Sequence, residues 1–261
     1  MGSIFPAHSI VVRQELLTMF GRIDWNELVY NLIAEAIGIG VLLFITWIVS
    51  RRFFGKSRHL YRLFGYKSLK NDGLIFVLPE TAKITGQYYG GDSSRPFQLI
   101  GYADFVGFSF LFSFVQVVDV KSETRIKMAN DSERGNNLFC VGGPGPNGET
   151  KHFTDRVKTK FQFVNSRNEW TILDTIHDRP HQANNSYDYG LVWKYRNPWG
   201  SQSSILVCAG IWEQGTLGAC YYFFQNYRNL SKQYGSGDFE LIIGIDREVG
   251  YRSTKLVASY P

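Results

Sequence analysis

The sequence predicts an α/β fold, a three-layer sandwich with an antiparallel strand excursion, preceded by one N-terminal transmembrane helix. Three observations carry this. The runs Gly73–Leu78, Leu138–Gly142, Ser204–Cys208 and Phe239–Ile245 are apolar almost throughout, as expected of strands covered on both faces. Two of them lead into glycine-rich loops, Gly142–Thr150 and Gly210–Thr216, with helix-compatible sequence on the far side. Finally, the 22 residues Leu28–Val49 are interrupted only by Tyr30, Asn31, Glu35 and Thr46. As a helix they would be about 33 Å long, enough to cross a hydrocarbon core.

Taken in order, residues 1–25 read as an extracytoplasmic segment and 26–50 as the transmembrane helix. The run Val41–Ile45 is apolar on every face, which disfavours a half-buried helix of a soluble domain. Ala34, Ala36, Gly38 and Gly40 form a small-residue patch where a second copy can approach closely, so a homo-oligomer is expected. Arg51, Arg52, Lys56, Arg58, Arg62, Lys67 and Lys70 follow the span, whereas Arg13 and Arg22 precede it. That bias places the C-terminal part in the cytoplasm, attached to the inner membrane by a single pass. The apolar run is too long and starts too late for a cleaved signal peptide. Residues 51–71 read as a basic juxtamembrane linker and 72–261 as the cytoplasmic domain.

Within the domain, the polar loop Gly86–Pro96 leads to Leu99–Val118. This is long and aromatic enough for a buried crossover helix, with a second membrane span as the alternative. Asp104, Ser109, Ser113 and Gln116, and mixed charges at its exit, favour the crossover helix. Lys160–Val164, Trp170–Thr175 and Tyr189–Tyr195 alternate or run apolar over strand lengths, with Asn165–Asn168 as a turn, and form the antiparallel excursion. Ser253–Ser259 can return beside Phe239–Ile245.

Composition narrows the chemistry. The net charge of +5 on 261 residues is concentrated beside the apolar segment, so direct nucleic-acid binding is not expected. Cys140, Cys208 and Cys220 cannot all pair within one chain and read as reduced thiols. No cysteine pair has metal-ligand spacing. His177 and His181 stand four apart, but Pro180 between them argues against a shared helix face, and they read as loop residues.

The two loops carry the candidate site. Gly143, Gly145 and Gly148 fit G-x-G-x-x-G, in which backbone N–H groups and a helix dipole face an anionic ligand. Glu149 stands where a phosphate loop would place lysine, which excludes ATP hydrolysis of that type, and Pro144 and Pro146 remove two donors. Gly210 and Gly215 repeat the five-residue spacing, with Thr216 at the helix start. The expected ligand set is therefore Gly143, Gly145, Asn147, Gly148, Thr150, Gly210, Gly215 and Thr216, with Arg95 and Arg196 as phosphate partners. Glu213, then Glu149, is the candidate catalytic carboxylate. Such a group can accept ribose hydroxyl hydrogen bonds or stabilise an oxocarbenium-like centre. The competing reading of both loops is turn and capping chemistry that binds nothing.

This order of anchor, basic segment and glycine-rich α/β domain resembles membrane-anchored bacterial sensors and effectors with Rossmann-like nucleotide-recognition domains, including the CARF and SLOG groups of antiviral defence. The resemblance implies a Rossmann-like sandwich, a nucleotide, dinucleotide or nucleotide-derived second messenger as ligand, and a membrane response. Three classes follow: a ligand sensor, a nucleoside- or NAD-cleaving N-glycosidase-type enzyme, and a structural anchoring protein.

Overall fold

Strands that are hydrophobic on both sides need cover on both sides, and register decides which residue meets which layer. The computed structural model describes residues 58–79, 82–84, 97–99, 101–116, 124–128, 134–167, 169–200 and 202–261. The expected segments 1–25 and 26–50, the first residues of the basic stretch, Arg95 and the loop around it lie outside the described residues.

Seven strands form one mixed sheet. They are β1 (Leu74–Leu78), β4 (Thr124–Met128), β5 (Asn137–Val141), β9 (Tyr187–Arg196), β10 (Ser204–Gly210), β11 (Phe239–Asp246) and β12 (Lys255–Tyr260), in the order β12-β11-β9-β10-β5-β1-β4. The block β4, β1, β5 and β10 is parallel, while β9 runs antiparallel to both β10 and β11, and β12 antiparallel to β11. All four of the apolar runs lie in this sheet. Phe76 pairs with Phe139, which pairs with Leu206, and all three side chains enter one core. Their neighbours Ile75, Leu138 and Ile205 enter the other core, as the two-residue period of a strand requires.

One face is covered by α2 (Tyr102–Gln116) and α4 (Glu213–Tyr234), through Phe108, Leu111, Phe114 and Phe223. The helical residues 58–64 and α1 (Tyr66–Asn71) add Leu60, Leu63, Phe64 and Leu69 to the same core. The packed body thus begins within the basic stretch rather than at residue 72: the arginines and lysines there alternate with buried leucines. The opposite face is covered by Phe153 of α3 (Gly148–Arg156) and by Phe161 and Ile172 of a separate three-stranded sheet. That sheet contains β6 (Phe161–Ser166), β7 (Glu169–Asp174) and β8 (Arg179–Gln182), all antiparallel. A two-stranded ribbon, β2 (Ala82–Ile84) with β3 (Phe97–Leu99), stands apart.

Two expectations change. Tyr189–Tyr195 belongs to the main sheet and not to the excursion, because Leu191, Val192 and Trp193 are apolar toward both faces and are fully buried between β10 and β11. The third strand of the excursion is β8, whose sequence Arg179-Pro180-His181-Gln182 gives little strand signal. His181 lies buried in this strand rather than in a loop. The Leu99–Val118 run contains α2, which packs along α4 so closely that a β-carbon on Gly107 would sit 2.9 Å from Cys220 Sγ. Among the described residues no helix is long and apolar enough to cross a membrane. Cys140, Cys208 and Cys220 are free and buried.

Candidate functional site

The loop after β5 is built around Asn147. It occupies the N-cap of α3, and its Oδ1 accepts from the N–H groups of Glu149 (3.0 Å) and Thr150 (3.2 Å). Its Nδ2 donates to the carbonyls of Val77 (3.2 Å) and Val141 (2.8 Å), so one buried amide ties the ends of β1 and β5 to the helix start. The Thr150 hydroxyl donates to Gly142 O at 3.0 Å. Gly142 has φ of +98°, a left-handed value that favours glycine. Glu149 is buried and accepts from Arg134 Nε at 2.8 Å. Asn147, Thr150 and Glu149 are therefore committed to the fold and do not line the cleft described below.

The loop after β10 is closed from a different element. The N-cap position of α4 is Trp212, which has no capping group of its own. Asp188, on β9, fills the role: Oδ2 accepts from the Gly215 N–H at 2.6 Å, and Oδ1 from those of Tyr189 (2.7 Å) and Trp212 (3.3 Å). Burial raises Asp188 above the usual carboxylate range despite these bonds. Farther along β9, Lys194 donates to the carbonyls of Ser236 and Gly237 just past the other end of α4, and burial lowers it to about 8. One strand thus sets an acid at the positive end of the helix and a base beyond its negative end. A β-carbon on Gly215 would overlap the Tyr189 carbonyl, and one on Gly210 would overlap the backbone of Gly215 and Thr216. Those two glycines serve close packing of helix on sheet, and Gly215 is not among the residues lining the cleft.

The two loops nevertheless meet. Gly143 lies so close to the β10 loop that a β-carbon on it would sit 3.4 Å from Gly210 O. The connection from β5 leaves toward α3 on one face and that from β10 toward α4 on the other, so a crevice opens between adjacent parallel strands at their carboxyl ends. The resulting cleft holds about 220 Å³. Its walls are Gly143 to Pro146 on one side and Gly210 to Glu213 with Thr216 on the other; Gly101 and Asp104 enter from the start of α2, and Phe163 and Trp170 from the small sheet. A β-carbon on Gly145 would lie in van der Waals contact with the Trp170 ring, at 3.5 Å. Trp212 carries the Arg247 guanidinium over its ring, 4.5 Å from the centroid.

Two carboxylates share this space. Burial, and then the charge of Glu213, push Asp104 up to about 6. A titratable group so perturbed, inside a cleft, marks a candidate functional site.

Of the sequence-predicted residues, Gly143, Gly145, Gly210, Thr216 and Glu213 line the cleft. Asn147, Gly148, Thr150, Gly215 and Glu149 stand behind it. Arg196 lies at the far end of the sheet: it pairs with Ser204, the first residue of β10, and its N–H donates to Asp238. At about 3.3 Å per residue, Ser204 and Gly210 are separated by roughly 20 Å. Arg95 is outside the described residues. Sequence reasoning missed Asp104, Asp188, Trp170 and Trp212 as parts of the site. Asp104 had a signal, since it sits in the first turn of the helix that crosses over from β1. Trp212 also had one, since it precedes Glu213 within the Gly210–Thr216 loop, whereas Asp188 and Trp170 are brought in by tertiary pairing.

Among the described residues there is no group of histidine, cysteine and carboxylate side chains arranged to hold a metal ion. Compared with known proteins, the chain matches no family model and no curated protein.

Proposed function

We propose that the cleft receives the nucleoside end of a nucleotide-derived ligand, and that the chain is a membrane-anchored sensor with a Rossmann-like domain of the kind used in bacterial antiviral defence. The observation that supports this reading is the convergence of the two glycine loops with Trp170 and Trp212 at the carboxyl ends of β5 and β10. An indole offers a stacking surface to a base, and Asp104 and Glu213 offer acceptors to ribose hydroxyls. The phosphates of such a ligand point outward, because Asn147 and Asp188 already occupy the two helix N-termini expected to hold them. The segment 28–49 supplies the anchor and the self-associating surface that turns binding into a membrane response.

Calorimetric titration of the full chain with nucleosides, nucleotides and dinucleotides tests this. Trp170→Ala or Trp212→Ala should weaken binding at least about tenfold, roughly 1.4 kcal/mol. A panel in which nothing binds sinks the reading.

A second reading, cleavage of an N-glycosidic bond, is favoured by one observation. Asp104, raised to about 6 beside Glu213, is partly protonated near neutral pH and can donate to a leaving base. Glu213 would stabilise the positive charge developing on the sugar, and a solvent water would add to the anomeric carbon as the base leaves, giving up its proton to solvent. In that case Glu213→Gln keeps ligand affinity and stops product formation, whereas a sensor forms no product in either form.

A further inference from the structure

The aromatic and electrostatic lining of the cleft says more about the ligand than its position does. Phe163 and Trp170 come from the small sheet and Trp212 from the loop after β10, so rings enter from two separate elements. Asp104 and Glu213 come from the first turns of two different helices. Among the described residues that line the cleft there is no lysine, arginine or histidine. The nearest helix dipole is neutralised by Asp188, whose carboxylate takes the Gly215 and Trp212 N–H groups. An anion entering here meets two carboxylates, and Asp188 already holds two of the N–H groups at that helix start.

We infer that the cleft selects a ligand whose ring carries a positive charge, such as an N-ribosylated pyridinium, over one whose ring is neutral. This rests on the nucleoside-end reading of the site and adds the chemical class of the ring. An aromatic face carries negative potential and attracts a cation within about 6 Å of its centroid. Trp212 already does this with Arg247, 4.5 Å from its centroid, so the ring is held in place by one cation. A flat cationic ring satisfies both features of the lining at once: it stacks on indole, and its charge faces Asp104 and Glu213. A neutral base uses the stacking alone and leaves the two carboxylates repelling each other across the cleft.

The test compares two dinucleotides with the same phosphates, riboses and adenine. NAD⁺ carries a pyridinium, and NADH differs by one hydride and has a neutral ring. Both are titrated into the full chain, with ligand integrity checked by chromatography, alongside 1-methylnicotinamide as the cationic ring alone and nicotinamide as its neutral counterpart. Binding should be at least about tenfold tighter for each cationic ring, and Glu213→Gln should cut that preference to below about threefold. Asp104→Asn provides an independent variant with the same expected direction, and Arg196→Ala should leave the preference intact.

Equal affinity for NAD⁺ and NADH overturns the inference, as does a tenfold preference that survives in both carboxylate variants. If adenosine or another neutral nucleoside binds while neither cationic ring does, the ring selectivity is wrong and the nucleoside-end reading stands. If no member of the panel binds, both fall together.

Discussion

The loops after β5 and β10 share a glycine pair five residues apart and a threonine at the helix start, yet they are closed in opposite ways. In the first, the cap is local: Asn147 lies within the loop and bonds both the helix N–H groups and the strand carbonyls beside it. In the second, the cap arrives from another strand: Asp188 of β9 takes the N–H groups of Trp212 and Gly215 across 24 and 27 residues of sequence. The same glycine spacing also does different work. Gly143 lines the cleft while Gly148 stands behind it; Gly210 also lines the cleft, but it and Gly215 are needed to let α4 approach β9 and β10. Matching motifs therefore do not imply matching roles. A helix N-terminus that looks available for an anion is available only if no distant side chain has already filled it.

The sharpest way to break this comparison is at Gly215. Gly215→Val places a branched side chain against the Tyr189 carbonyl, and urea unfolding should show a loss of about 3 kcal/mol or more. If the variant folds normally and merely loses ligand, Gly215 faces the cleft after all and the two loops are alike.

Asn147→Ala comes next. It removes a helix cap and two hydrogen bonds to buried carbonyls, so about 2–3 kcal/mol should be lost, measured in the same way. A loss below about 0.5 kcal/mol would show that the local cap is dispensable.

Asp104→Asn should act in the opposite direction. The folded-state value of about 6 lies above the ordinary 3.8, so the parent loses stability as pH rises between them and stays at the lower level above. Discounted for partial exposure, the variant should be about 1–2 kcal/mol more stable than the parent at pH 7, with the difference vanishing below about pH 4. Paired melting curves across that range check it, and a variant less stable at pH 7 would mean that Asp104 has a stabilising partner.

The smallest effect is expected at Arg196. Because it lies at the opposite end of the sheet from the cleft, Arg196→Ala should change ligand affinity by less than about twofold, or 0.4 kcal/mol. A tenfold loss would place a phosphate at the wrong end of the sheet and reopen the anion-cradle reading.

How much of this was legible beforehand depends on the range of the interactions involved. The four apolar runs declared themselves as sheet strands, because full burial on both faces leaves a continuous hydrophobic stretch. The convergence of Gly143, Gly210, Glu213 and Thr216 followed from a general rule, that loops at the carboxyl ends of parallel strands face one another. What was not legible involved partners distant in sequence. Asp188 looks like any acid between two tyrosines until β9 pairs with β10 and lays it at the start of α4. Trp170 reads as an ordinary strand residue until the small sheet folds over the crevice. Residues 58–71 show a basic cluster, and their leucines signal burial only once the helices covering that face of the sheet are in place.

The sequence by itself determined the α/β class, the central strands, the two glycine loops and the carboxylate Glu213, because each is written in a local pattern of hydrophobicity or turn chemistry. The tertiary structure alone decided that β9 lies inside the main sheet, that Asp188 caps α4, that Asn147 and Glu149 are structural, and that Asp104 joins Glu213 in an aromatic-walled cleft. Each of those outcomes depends on strand order and register, which bring together residues tens of positions apart, and no window of sequence contains both members of such a pair.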